Sequence, residues 1–234
     1  MLARSRCASC ATALGPLDLV PIASWVALRG RCRHCDAKVS ADYLVAELGA
    51  LAIAAVALLS LEPARAAAGA GLGWTLLALA LADYRSLTLP DALTLPLAAA
   101  GLVVAALFPM SPEVTAFPAD SAFFDHVLGA VAGFAAFYGI SVTYRRLRGR
   151  EGLGGGDAKL AAAAGAWVGW QGLPSVILLA ALAALAVALG EAAKRGRLDP
   201  AARVPFGVYL APALWLVWLA QQQLPSFWAG FGLG

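Results

Sequence analysis

The chain has 234 residues, of which 61% are apolar by type and 13% charged, with a formal net charge of +3. Soluble domains carry about 25% charged and about 45–50% apolar residues, so this composition argues against a water-soluble globule. So much apolar side chain also excludes a solvated, disordered coil, and nothing in so mild a charge marks a nucleic-acid partner.

In chain order, residues 1–41 come first. They are basic and lack the apolar core of a secretory signal. All four cysteines fall here, as Cys7-x2-Cys10 and Cys32-x2-Cys35. Two such pairs about 20 residues apart match a four-thiolate structural zinc site, a ribbon of two knuckles. Disulfides suit a reducing cytoplasmic face poorly, and a redox motif needs only one pair. The stretch between the pairs, Leu17 to Gly30, is apolar around Leu19 and Trp25 but too short to span a bilayer. It is expected to pack on the membrane surface or on the zinc module. His34, inside the second knuckle, reads as a solvated polar residue, because four thiolates already complete a tetrahedron.

Seven apolar stretches of roughly 13–21 residues follow, most of them near the ~20 residues that cross ~30 Å of hydrocarbon. They run over 42–61, 66–82, 92–109, 124–144, 158–170, 173–192 and 204–222. Richness in Ala and Leu favours helices, and the alternating segments of a barrel are missing. The fifth stretch is short, which suits a tilted, re-entrant or fully enclosed helix. Of the 17 basic residues all but Arg65 fall in 1–41, 83–91, 145–159 and 193–203. Cytoplasmic loops retain positive charge, so the amino terminus is expected inside and the carboxyl terminus outside. The expected fold is all-α: a polytopic helical bundle over 42–234 behind a small cytoplasmic zinc-ribbon-like module over 1–41.

Ionisable residues at the span boundaries carry the chemistry. Asp91 opens the third stretch, where a carboxylate caps free amides and suits the helix dipole. Asp83 closes the second stretch, where the dipole disfavours negative charge. A carboxylate there is costly, which favours a functional reading over pairing with nearby Arg85. Glu47 inside the first stretch poses the same question more weakly. Glu151-Gly-Leu-Gly154-Gly155-Gly156-Asp157-Ala-Lys159 precedes the fifth stretch. Three glycines in a row disfavour helix, so that helix is expected to start at or after Asp157. A phosphate loop or dinucleotide fingerprint lacks its βαβ context. The remaining pattern is bare backbone beside a carboxylate, with Asp83 and Asp157 on one bilayer face. Two carboxylates close together share a proton, one as general base for water and the other as general acid. That is the constellation of a membrane aspartyl protease. A small ion- or proton-coupled transporter is the alternative, and it predicts carboxylates near the midplane.

Gly154-Gly155-Gly156-Asp157 resembles the Gly-x-Gly-Asp motif of membrane aspartyl proteases. Asp83-x7-Asp91 with Leu89-Pro90 before it and Leu93-Thr94-Leu95-Pro96 after it resembles the first catalytic segment of the bacterial type IV prepilin peptidases. The run from Pro21 through Gly30-Arg31-Cys32-x2-Cys35 resembles their tetracysteine module, and Tyr43 to Glu47 the helix start after it. Gly165-Ala166-Trp167-x-Gly169-Trp170 and Val204 to Leu210 resemble later segments of the family. The resemblance implies an eight-helix inner-membrane enzyme that cleaves the leader from prepilins and type II secretion pseudopilins. It further implies methylation of the new terminus with S-adenosylmethionine in bifunctional members. By the same resemblance Asp83 and Asp157 match the catalytic pair, Gly154, Gly156, Lys159 and Asp91 the supporting loops, and Gly30 a glycine linked to methyl transfer. Arg31 stands where many members have Lys. Eight-helix members begin with a further span bearing a Gly-Ser-Phe-x-Asn-type segment that is absent from this sequence; a shortened chain, a mis-assigned start or a naturally short form would each account for that. Proteolysis is therefore expected to be the more robust activity and methylation the weaker one. Neither the particular pilin nor the oligomeric state is legible.

Overall fold

The computed structural model describes residues 5–20, 22–108, 122–149, 154–196 and 205–223. Among these, a 3-10 turn over Pro16–Leu19 is followed by α1 (Ala23–Ala27), α2 (Ala41–Ser60), α3 (Pro63–Ser86) and α4 (Asp91–Leu107). Then come α5 (Ala122–Arg148), α6 (Gly155–Arg195) and α7 (Gly207–Gln223). The only extended pairing among the described residues is two isolated β-bridges. Four helices, α2, α3, α5 and α6, are long and apolar enough to cross a membrane, and α4 is a shorter apolar helix. The contacts divide the chain into two compact units, Met1–Val56 and Ala57–Gly234.

In the first unit the segment between the cysteine pairs folds on the module itself. Arg33 Nε bonds Asp18 Oδ1 at 2.8 Å, and the Gly15 amide bonds Asp18 Oδ2 at 3.1 Å. Those two partners hold the Asp18 carboxyl below the usual carboxylate range, the Gly15 amide contributing most. Glu47 has a structural task here. Its Oε2 accepts the amide of Ile22 at 2.6 Å, and Ile22, with φ +62°, is the residue before α1. A β-branched residue at positive φ is strained, and the carboxylate at the amino end of α1 holds it there.

The second unit is built around α6, whose 41 residues are not one rod. Gly169 has φ +70° and ψ 176°, outside the helical region. Ala161 and Leu173 lie on opposite sides of it, and both touch Gly133 of α5: a Cβ there would fall 2.4 Å from the Ala161 carbonyl oxygen and 3.3 Å from Leu173 Cδ2. In a straight helix twelve residues rise about 18 Å, so the chain turns back at Gly169. The first arm, 155–168, and the second, 170–195, thus correspond to the separate fifth and sixth apolar stretches, joined by one residue.

The first arm is enclosed. Ala158, Leu160, Ala161, Ala163, Ala164, Ala166, Trp167 and Val168 are all buried, packed with Leu72, Leu76 and Leu79 of α3 and Leu210, Leu214 and Val217 of α7. Of the three readings of the short fifth stretch, the enclosed helix is the one observed. A helix surrounded by other helices has no need to match the hydrocarbon thickness. Its closest neighbour is α5, where Gly129 and Gly133 meet Gly165 and Ala161. Small residues four apart let membrane helix backbones approach this closely.

Candidate active site and metal centre

Three helix ends meet at one end of the second unit. Asp83, in the last turn of α3, is 5% exposed, and Asp157, in the first turn of α6, is 8% exposed. The amino end of α7 faces Asp83. A Cβ on Gly207 would lie 2.8 Å from Asp83 Oδ2, and the Gly207 and Val208 amides point at the carboxylate. Asp83 Oδ2 nevertheless accepts no hydrogen bond from the described residues. Asp157 Oδ2 accepts the Gly154 amide at 3.2 Å. The two carboxylates are close enough for their charges to interact.

Leu89, in the α3–α4 connection, stands between these ends. A Cβ on Gly156 would fall 2.8 Å from Leu89 Cβ, and one on Gly207 would fall 3.3 Å from Leu89 Cδ1. The amino ends of α6 and α7 therefore converge on the carboxylates. Each carries a partial positive charge, which offsets the unfavourable carboxyl end of α3 at Asp83. Arg85 is exposed, whereas Asp83 is buried.

Two expectations from the sequence need correction. The helix begins at Gly155, not at or after Asp157, with Gly154 in the cap position. First-turn amides have no intrahelical partner to lose, and the Asp157 carboxylate reaches back to the Gly154 amide, so glycine is tolerated there. Gly154 and Gly155 are exposed, but Gly156 is not bare backbone: it packs on Leu89. Asp91 is likewise no cap. Pro90 holds that position without a side-chain bond, and Asp91 Oδ1 instead takes Lys159 Nζ at 2.6 Å. That pair ties the start of α4 to the start of α6.

The ion pair is partly exposed, at 35% for Lys159 and 57% for Asp91, and exposed pairs contribute about 0–1 kcal/mol. Asp91→Asn is therefore expected to lower stability by about 0–1 kcal/mol, read by thermal melting of the purified protein. A loss of several kcal/mol in the Asp91 variant would contradict so exposed a pair.

The structure also buries residues that the sequence reading passed over. Asp125, His126 and Gln221 are 3%, 5% and 4% exposed. The signal was present: an Asp-His pair inside an apolar stretch is as costly in a membrane as Asp83.

In the first unit the two cysteine pairs form matching loops. Arg6 bridges Ala13 around Cys7 and Cys10, and Arg31 bridges Lys38 around Cys32 and Cys35. In each loop the first cysteine amide bonds a carbonyl five residues on, Thr12 or Ala37. The following turn holds Ala11 at φ +56° and Asp36 at φ +57°. All four sulfurs lie within 4.8 Å of one another. With Zn–S near 2.3 Å, a tetrahedron places its sulfurs about 3.8 Å apart, so the cysteines fit a four-thiolate metal. His34 is exposed beside them.

The thiols cannot ionise independently. Cys10 is lowered to about 6, chiefly by the Thr12 hydroxyl and amide. Cys35, despite a hydrogen bond from the Ala37 amide, is pushed up to about 12 by desolvation and the other sulfurs. A dication removes that conflict. Metal analysis of reduced protein is expected to return about one zinc per chain, and Cys→Ser at position 7, 10, 32 or 35 to lower it. Because the ligands must be deprotonated, zinc affinity should fall as pH falls. A content well below one per chain would refute the site.

Gly30 is buried with φ +67°, and a Cβ there would lie 2.8 Å from Trp25 Cζ2. The indole packs against its Cα, so packing as well as the positive φ calls for glycine at this position.

Apolar helices that bring two buried carboxylates together at their ends define a polytopic helical membrane protein. The profile of the Type IV leader peptidase family matches residues 70–189, and that of the bacterial Peptidase A24 N-terminal domain matches residues 1–61. The chain belongs to the type IV leader peptidase family. A protein of Burkholderia pseudomallei (strain 1026b) named prepilin leader peptidase/N-methyltransferase is 44% identical over 209 residues, covering 89% of this chain and 64% of the relative. Proteins of the same name from Aeromonas salmonicida (strain A449) and Dichelobacter nodosus are 38% and 33% identical. They are matched over 94% and 97% of this chain and 72% and 74% of their own lengths. This chain thus spans less than two thirds of the Burkholderia relative. No solved structure matches it.

Proposed function

We propose that the protein is a membrane aspartic endopeptidase that cleaves the leader from type IV prepilins and type II secretion pseudopilins, with Asp83 and Asp157 as the reacting pair. The observation that carries this reading is the meeting of the two buried carboxylates beside the amino ends of α6 and α7. In the proposed pair the two carboxylates share one proton, and their titration belongs to the pair. The ionised member takes a proton from water as it attacks the scissile carbonyl. The protonated member gives its proton to the departing amide nitrogen. The exposed backbone of Gly154 and Gly155 leaves room for an extended peptide to pair beside Asp157. A transporter would place its carboxylates mid-helix, whereas Asp83 and Asp157 occupy a last and a first turn.

The basic loops support a cytoplasmic location for the pair and for the zinc module over 1–41, with the membrane domain over 42–234 and the carboxyl terminus outside. The bacterial inner membrane is the corresponding compartment. Zinc would be structural, because a four-thiolate set leaves no position for water. N-methylation is the second activity that the relatives' name carries, and S-adenosylmethionine is the methyl donor proposed for it.

The test is incubation of the purified protein in detergent with a prepilin. A shift to the leaderless size on a gel is expected, and mass spectrometry of the new terminus reads whether a methyl group follows. No shift from metal-loaded, folded protein would overturn the reading.

A further inference from the structure

The end of the second unit remote from Asp83 and Asp157 holds polar side chains that this chemistry does not use. Asp125 and His126, near the amino end of α5, are 3% and 5% exposed, and both meet the reversal of α6. A Cβ on Gly169 would fall 2.0 Å from Asp125 Oδ2, while Asp125 Oδ1 has no hydrogen-bond partner among the described residues. His126 Nδ1 lies 3.1 Å from the Ala166 carbonyl oxygen, and Gln221 Nε2 donates to the Val168 carbonyl at 3.0 Å. The last carbonyls of a helix have no intrahelical partner; here side chains of α5 and α7 satisfy two of them. The Asp125 carboxylate sits at the amino end of the second arm, where the dipole favours negative charge. An acid this deeply buried in an apolar bundle is expensive, and it lies against this turn.

We propose that Asp125, His126 and Gln221 form a latch that fixes the reversal of α6 at Gly169, and that as positioning residues they set the height of Asp157. The first arm is an enclosed rod about 21 Å long, with the latch at one end and Asp157 at the other. Displacement at the latch therefore arrives at Asp157, whereas Asp83 belongs to α3 and stays in place. The spacing of the two carboxylates is set from both ends of the arm, by the Lys159–Asp91 pair at one and the latch at the other. The effect on cleavage rests on the peptidase reading; the latch itself does not.

The test uses the full chain in detergent, comparing Asp125→Leu, which removes the polar group, with Asp125→Asn, which keeps its shape and still serves a helix amino end. Cleavage kinetics on a synthetic prepilin peptide are measured beside hydrogen exchange at amides 155–160. Asp125→Leu is expected to lower kcat about tenfold or more with KM little changed, since a small misplacement far from the chemistry is costly. It should also raise exchange at 155–160 relative to α3 and α7, and Asp125→Asn should restore both. Wild-type kcat with unchanged exchange in the Leu variant would overturn the latch. Exchange rising equally in α3, α5 and α7 would overturn it too, because that marks general destabilisation. Should the Leu variant fail to fold, Gln221→Leu removes the Val168 bond alone and is read the same way. If the wild-type chain cleaves nothing, the peptidase reading fails and exchange at 155–160 alone decides the latch.

Discussion

Asp83→Asn and Asp157→Asn are each expected to abolish measurable cleavage while leaving the helices folded. An amide can neither take a proton from water nor share one with its neighbour, and general acid–base catalysis supplies about 10²–10⁴-fold of rate. In the proposed pair the two carboxylates act as one unit, so the double variant should be no slower than either single one. Stability should not suffer. Asp83 Oδ2 accepts no hydrogen bond from the described residues, and replacing the acid by a neutral side chain of its own shape leaves no new charge unpaired. Prepilin cleavage on a gel, with thermal melting of the same samples, checks both halves. Processing at the wild-type rate by either variant would refute the pair.

Gly165→Val should be the most damaging change away from the carboxylates. A Cβ on Gly165 would lie 2.0 Å from the Gly129 carbonyl oxygen and 2.1 Å from its carbon. The obstacle is backbone on a neighbouring helix, so no rotamer change relieves it. Either α5 and the first arm of α6 separate or the variant does not fold. Overpacking ordinarily costs about 1–3 kcal/mol, and a backbone clash stands at or above that range. A melting temperature within a degree or two of wild type would contradict the close crossing. Gly71, whose Cβ position meets nothing within 4 Å, supplies the control: Gly71→Ala on α3 should be tolerated.

Much of this architecture is legible in the order of residues. Run length and composition identify the apolar helices because the thickness of a bilayer fixes how long they must be. The tetracysteine module is legible for a similar reason: zinc imposes ligand type and number, and a two-residue spacer brings paired thiolates onto one ion. Asp83 stands out because a carboxylate at the carboxyl end of an apolar helix opposes both the dipole and the lipid. Each of these constraints is local, and local chemistry is what a sequence states directly.

The structure decided what depends on contacts between distant residues. Asp91 looks like a cap until Lys159, remote in sequence, is found 2.6 Å away. Glu47 looks like a stray acid until it meets the Ile22 amide. The glycines before Asp157 look like a helix breaker until that carboxylate takes the Gly154 amide and Leu89 fills the space beside Gly156. The joining of the fifth and sixth stretches through Gly169 was equally hidden, since one glycine among 24 gives no sign that its φ is positive. Only the enclosure of the first arm by α3, α4, α5 and α7 reveals why a helix too short to span is stable there. Sequence determines which residues a bilayer and a metal will accept at each position; close packing among helices determines which of them meet, because burial and partnership belong to pairs of residues and not to single ones.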